Sequence, residues 1–356
     1  MRNVDANYVA RWQTNKYTEM FDKSSKTIAA PDATVFLVTV LYDSQQCIVQ
    51  FASTLIEQDF IHWHLIAVDN ASGDGASEIL SEATGKKVSV IQNPTNTGFA
   101  RAANQGICAA LDRGAEFVIL INNDTLIPSG FLTRFLARRD ALEADVIAPR
   151  IMRLDRPEEA WYAGGHLEYG WIFRNIHEPY DPKDTRSGWI VDFASGCCLG
   201  LSRHALKTVG LFDESFFVYW EDTDFCVRLK KACLPLHYAH DIFILHEGGH
   251  ASGGERSIKF NALYWKSYMQ FVRKHLGGTV AIRTMIRVSL KELGRPHKRW
   301  RRLSAISAAM AKGLIAPLVP LSSIPCSGSD EATCNEHPLR SSRSRTKNRP
   351  ADRKQF

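Results

Sequence analysis

Between Thr34 and Asp124 the chain alternates short β-branched runs with helix-period segments, and this alternation restricts its fold more than any other feature. Residues 35–41 (VFLVTVL), 64–69 (HLIAVD), 88–91 (VSVI) and 117–121 (FVILI) read as strands. Residues 44–59, 77–84 and 98–113 read as helices, the first with Ile48, Phe51, Leu55 and Ile56 on one face. Strands joined by helical crossovers pair in parallel and are covered on both faces. The predicted class is therefore α/β, with a mostly parallel central sheet and helices on both faces. Ligands of such sheets bind beyond the carboxyl ends of the strands.

Each predicted strand runs into polar residues. The first ends at Tyr42-Asp43 and the second in Asp69-Asn70-Ala71-Ser72-Gly73-Asp74-Gly75. The third leads to Asn93-Pro94-Thr95-Asn96-Thr97-Gly98-Phe99-Ala100-Arg101, and the fourth ends in Asn122-Asn123-Asp124. Any one loop is an ordinary turn, since Asp, Asn and Gly are turn residues. Four on one sheet edge suit a sugar or nucleotide together with a divalent cation. No GxGxxG follows the first strand, which argues against a dinucleotide-binding Rossmann enzyme. No GxxxxGK[ST] or GxSxG elbow occurs either, and no internal repeat is found.

The second half carries candidate acid–base groups. Trp220-Glu221-Asp222-Thr223-Asp224 opens a helix-period segment, Phe225-Cys226-Val227-Arg228-Leu229. Carboxylates there suit a helix N-terminus, or one of them deprotonates a substrate hydroxyl. His246 follows the strand-like Ile242-Phe243-Ile244-Leu245 and is a structural histidine or a metal ligand, with His250 a weaker substitute. Trp161 to Gly165 and Asp192 to Cys198 read as substrate-side loops. Trp161, Tyr219 and Trp220 either stack on sugar or belong to the core.

The order VDNASGDG, NTGFARAANQG, NNDT, FVYWEDTDFCVRLK and LHEGGH resembles glycosyltransferase family 2, which has the GT-A fold. The likeness covers roughly residues 33–275 and is nearest to bacterial rhamnosyltransferase-like and galactofuranosyltransferase-like members. It implies an inverting transferase that moves a sugar from a nucleotide-diphospho-sugar donor to a growing cell-surface glycan or lipid-linked acceptor. L-rhamnose from a dTDP donor is the first candidate; a hexose or galactofuranose from a UDP donor fits the same motifs. By this resemblance Tyr42, Asp43, Asp69, Asn96, Gly98, Arg101 and Asn123 bind the donor nucleotide. Asn122-Asn123-Asp124 matches the DxD-type motif, with Asn122 where many relatives carry Asp. Asp124, Asn122 and His246 then hold Mg²⁺ or Mn²⁺, whose charge suits a diphosphate leaving group. Asp222 is the general base and Glu221 its neighbour toward the acceptor, while Asp224 is structural. A nucleotidyltransferase would need a glycine-rich phosphate loop that residues 38–43 lack. A non-catalytic glycan- or nucleic-acid-binding protein would make the set Asp124, Asp222 and His246 accidental.

The remainder is compositional. In 356 residues, 45% hydrophobic and 23% charged describes a globular chain with one large domain and an appendage. The expected divisions are an N-terminal extension at 1–31 and a transferase domain at 32–280, split at 125/126 into nucleotide and acceptor halves. A basic helical region at 281–325 and a disordered tail at 326–356 follow. The net charge of +6 gathers in the last fifth of the chain, where Arg283, Arg287, Lys291 and Arg295 recur every four residues. These cations make a solvated face or an amphipathic helix on anionic lipid. No signal peptide and no run of 18 apolar residues is found, and the eight cysteines form no CxxC pair. The expectation is a cytoplasmic enzyme with free thiols, peripheral at the inner face of the membrane, without a nucleic-acid partner.

Overall fold

A computed structural model describes residues 34–169, 174–248, 258–293 and 300–317. The expected extension at 1–31, the tail at 326–356, His250 and Arg295 lie outside these residues. The first half alternates as β1 (Val35–Leu41), α1 (Gln45–Ile56), β2 (Trp63–Asp69), α2 (Ala76–Thr84), β3 (Val88–Gln92), α3 (Phe99–Asp112) and β4 (Phe117–Ile121). Strand β4 is buried throughout and β1 nearly so, as expected of strands covered on both sides. Helix α3 closes on β1 because Gly106 presents no side chain: a Cβ there would stand 2.4 Å from Val38 Cγ1.

The second half contains β5 (Thr125–Leu126), α4 (Phe131–Leu142), β6 (Val146–Arg153), β7 (Ala160–Tyr162), β8 (Gly165–Glu168), β9 (Arg174–His177), β10 (Gly188–Val191), β11 (Cys198–Ser202), α5 (Arg203–Val209), α6 (Glu221–Lys231) and β12 (Leu236–His246). Three further helices follow, α7 (Ile258–Leu276), α8 (Gly278–Leu293) and α9 (Trp300–Ile315), and they pack on one another.

The main sheet runs β10-β12-β6-β11-β4-β1-β2-β3, with β5 beside β12 and β7 beside β6, while β8 and β9 form a separate hairpin. From β4 to β3 all pairs are parallel. Beyond β4 the sheet is mixed: β11 is antiparallel to both β4 and β6, and β12 is parallel to β6. The parallel pattern extends only as far as the helical crossovers, because parallel neighbours need such connections. The antiparallel return of β11 along β4 brings Cys197 O to the amide of Asn122 (2.8 Å), at the carboxyl edge of the parallel strands.

Candidate active site

The β5–β12 ladder builds the first part of the site. Thr125 lies opposite His246, and the Glu247 amide donates to Asp124 O at 2.9 Å. The register sets Asp124 Oδ1 3.2 Å from His246 Nε2. Trp161 meets the imidazole edge-on, ring centroids 4.9 Å apart. His246 Nδ1 is buried and has no hydrogen-bond partner among the described residues. The surroundings are electronegative. The Cys47 thiol is pushed up to about 12 by burial, and next by the charges of Asp124 and Glu247.

Among the described residues no group of three or more His, Cys, Asp or Glu could hold a metal ion. A closed structural metal centre therefore does not fit here. A carboxylate oxygen facing an imidazole Nε2 does fit a cation that shares its coordination with ligand phosphates and water. Small hard cations usually bind in that way.

The strand-end loops are held by amides. Asn123 donates to Val40 O (2.9 Å) and Ser44 Oγ (2.8 Å), fixing the β1–α1 turn, where Asp43 has φ +52°. Buried Asn70 donates to Asn96 Oδ1 (3.0 Å) and Gly98 O (3.1 Å) and accepts from Asn93 Nδ2 and the Thr97 amide. Gly98 has φ +88°, and a Cβ on it would stand 2.4 Å from Phe217 O. The next amide, Phe99, donates to that same carbonyl at 2.6 Å. The β1–β4 half is thus joined directly to the segment that precedes the acidic helix.

That segment, residues 215–220, is a strap under strain. Tyr219 and Trp220 have φ +67° and +73° in succession, a left-handed backbone that is costly for aromatic residues. Helix α7 compensates. Trp220 packs on Tyr268 and Phe271 at 4.8 and 5.0 Å, and Tyr219 on Phe260 at 5.0 Å. Ser267 Oγ donates to Val218 O at 2.8 Å, and Gln270 Nε2 to Ser215 O at 3.0 Å.

The strap delivers Glu221 and Asp222 to the first turn of α6. Asp222 Oδ2 accepts from the Gly196 amide (3.2 Å), and Oδ1 accepts from the Thr223 amide (2.6 Å) and Thr223 Oγ1 (3.2 Å). Burial raises the Asp222 pKa, and the amides of Gly196 and Thr223 oppose the rise. Burial, then the charge of Asp222, pushes Glu221 well above the usual carboxylate range. Its Oε2 has no partner among the described residues. Burial thus acts upward on both carboxyls, and at Asp222 both side-chain oxygens accept from amides that oppose it. Asp224 points away into a buried cluster with Arg228 (2.8 Å), Lys274 (2.6 Å) and His275 (2.7 Å). Burial alone would raise its pKa, but the His275 hydrogen bond and the charges of Arg228 and Lys274 hold it well below the usual range.

These parts line a cleft of about 970 Å³. Tyr42, Asp43, Asn96, Gly98, Asn122, Asn123, Asp124, Glu221, Asp222 and His246 all face it. Asp69 and Arg101 are not among its lining. The Asp69 carboxylate accepts from Ser77 Oγ and the Ser72 amide, both at 2.9 Å, and Arg101 lies 3.7 Å from Glu214. The cleft also takes Asn70, Asn175 and His177, which the sequence reading did not select. Asn70 stood in the quoted loop but was passed over for the charged Asp69. Asn175 and His177 are two apart on β9 and so share a face, a signal that a four-residue strand makes faint. His177 Nδ1 donates to Trp161 O at 2.8 Å, which fixes its tautomer.

Comparison with known proteins bears on the domain and the fold. Residues 36–210 match the family described as Glycosyl transferase family 2. The chain is 26% identical over 196 residues to the dTDP-rhamnosyl transferase RfbF of Shigella flexneri, covering 55% of this chain and 62% of that protein. It is 26% identical over 279 residues to the N-acetylglucosaminyl-diphospho-decaprenol L-rhamnosyltransferase of Mycobacterium tuberculosis, covering 68% of this chain and 88% of that protein. Among solved structures, GalNAc-T7 with UDP, GalNAc and Mn²⁺ aligns with TM-score 0.56 and 13% identity over 83% of this chain and 60% of that chain. S. aureus TarS 1-349 in complex with UDP-GlcNAc aligns with TM-score 0.51 and 16% identity over 79% of this chain and 81% of that chain. At such identities these two show a shared fold. Residues 36–210 are a family 2 glycosyltransferase domain, and the fold of the chain is GT-A.

Proposed function

We propose that the enzyme transfers a sugar from a nucleotide-diphospho-sugar to an acceptor hydroxyl with inversion, and that Asp222 is the general base. The observation that carries this reading is the hydrogen-bonded Asp222 carboxylate, which faces the same cleft as the Asp124–His246 pair. The acceptor hydroxyl gives its proton to Asp222 while its oxygen attacks the anomeric carbon. The bond from that carbon to the diphosphate oxygen breaks, and the nucleoside diphosphate leaves with the electron pair. Glu221, buried beside the base and facing the cleft, is suited to hydrogen-bond the acceptor. Asn96, Gly98 and Asn123 line the donor side, with Tyr42 and Asp43 at the first strand end. Asp124 and His246, with Asn122 adjacent, are suited to hold Mg²⁺ or Mn²⁺, which when bound neutralises charge on the diphosphate. The rhamnosyltransferase names among the relatives favour L-rhamnose from a dTDP donor, and the mycobacterial name supports a lipid-linked glycan as acceptor.

The test is Asp222→Asn, assayed with dTDP-rhamnose and Mn²⁺. Loss of a positioned general base lowers transfer by about 10²–10⁴-fold, and nucleotide-sugar binding by calorimetry should persist. Loss of binding in proportion to transfer would remove Asp222 from the role of base.

A further inference from the structure

The basic stretch after residue 280 is the sequence feature that catalysis leaves unused, and its helix presents more than charge. Helix α8 packs on α7 and α9 and turns Ala281, Thr284 and Val288 inward, where all three are buried. Val288 is therefore a core residue, unlike the neighbouring Ile282, Ile286 and Leu290. The other three stand outward at 47%, 51% and 63% exposure. They recur at intervals of four and so form one row along the helix. Arg283 and Arg287, each one residue further on, are exposed and form a second row beside it. The outer face of α8 is thus half aliphatic and half cationic. A merely solvated helix would carry polar residues on that face.

We infer that α8 is a docking element for an anionic phospholipid surface. Ile282, Ile286 and Leu290 enter the boundary between headgroups and acyl chains, and Arg283 and Arg287 meet lipid phosphates. Charge decides the occupant. Apposing α8 with its copy in a second chain would bring two arginine rows together, whereas a lipid surface supplies counter-charge along the whole row. Attachment is interfacial, since among the described residues no helix is long and apolar enough to cross a membrane. The inference stands on exposure and charge, independently of the catalytic assignment.

The test uses the full chain and flotation with phosphatidylcholine vesicles, with and without phosphatidylglycerol, at physiological and high salt. The wild type should prefer phosphatidylglycerol vesicles and keep part of its binding at high salt. Combined Ile282→Ser, Ile286→Ser and Leu290→Ser should weaken partition by roughly tenfold or more at either salt. Arg283→Gln with Arg287→Gln should abolish the preference for phosphatidylglycerol. Thermal unfolding and transfer to a water-soluble acceptor should match wild type in both variants. If the triple variant melts earlier, the single Ile286→Ser serves for the same comparison. Unchanged partition of the serine variant overturns the inference, and so does wild-type binding that vanishes at high salt. A dimer that the serine variant dissolves, seen by light scattering, would assign the face to a second copy instead.

Discussion

The two walls of the cleft are made in different ways. The wall from β1 to β4 is built from loops that each follow directly from a strand, and its ties are short-range amide bonds such as Asn70 to Asn96. The wall that carries Asp222 is a strained strap, held by helix α7 some fifty residues later in the chain. The first wall needs only a regular parallel sheet to exist. The second exists because aromatic packing and two hydrogen bonds compensate a backbone that Tyr219 and Trp220 would otherwise avoid. Damage near α7 should therefore reach the wall that carries Asp222 while sparing the wall from β1 to β4.

The largest effect is expected at the buried cluster that binds α6 to α7. Asp224→Asn removes the only carboxylate that faces both Arg228 and His275 among the described ion pairs, and leaves the buried Arg228 without its counter-charge. Breaking such a pair costs about 3–5 kcal/mol, measurable by urea unfolding near neutral pH. The pH dependence gives a second check. The Asp224 pKa is lowered by folding, so its stabilisation is present above the unfolded carboxylate value and is lost as pH falls below it. Wild type should lose stability below about pH 4, and the variant should show less of that loss. Equal acid sensitivity would mean that Asp224 does not hold the helices together.

A smaller loss is expected where the walls meet. Gly98→Ala places a Cβ against Phe217 O and forces alanine to a positive φ. The two penalties together amount to about 2–4 kcal/mol. Because the joint belongs to both walls, nucleotide affinity and turnover should fall together. A variant that binds donor normally and only turns over slowly would show that the walls are independent at this point.

Legibility in the sequence follows the same division. The strands and helices from Val35 to Ile121 lie within two residues of where the residue pattern puts them, except that α1 stops at Ile56. In that region each polar loop follows its own strand, so local pattern carries both fold and candidate site. Beyond β4 the pattern does not reveal that β11 returns antiparallel, since that depends on which edge is open. It also gives no hint that Ser267 and Gln270 reach back to Val218 and Ser215, and it leaves Trp220 open between sugar stacking and the core, where the structure buries it. Asp69 stands outside the lining of the cleft, its carboxylate accepting from the Ser72 amide and Ser77 Oγ. The uncharged Asn70 beside it organises the loop that lines the cleft.

The smallest and most discriminating change is Ser267→Ala. It deletes one hydrogen bond to Val218 O, worth about 1 kcal/mol of stability. Ser267 does not line the cleft, so donor KM should stay constant while kcat falls several-fold. The pH profile separates positioning from plain destabilisation. Burial raises the Asp222 pKa, and the proposed base must be deprotonated to act, so wild-type kcat should fall as pH drops through that raised value. A looser strap admits water to Asp222 and returns its pKa toward that of an ordinary aspartate. The acid limb of kcat should then move to lower pH in the variant. An acid limb that stays in place while kcat drops would mean that α7 stabilises the domain without setting the environment of the base.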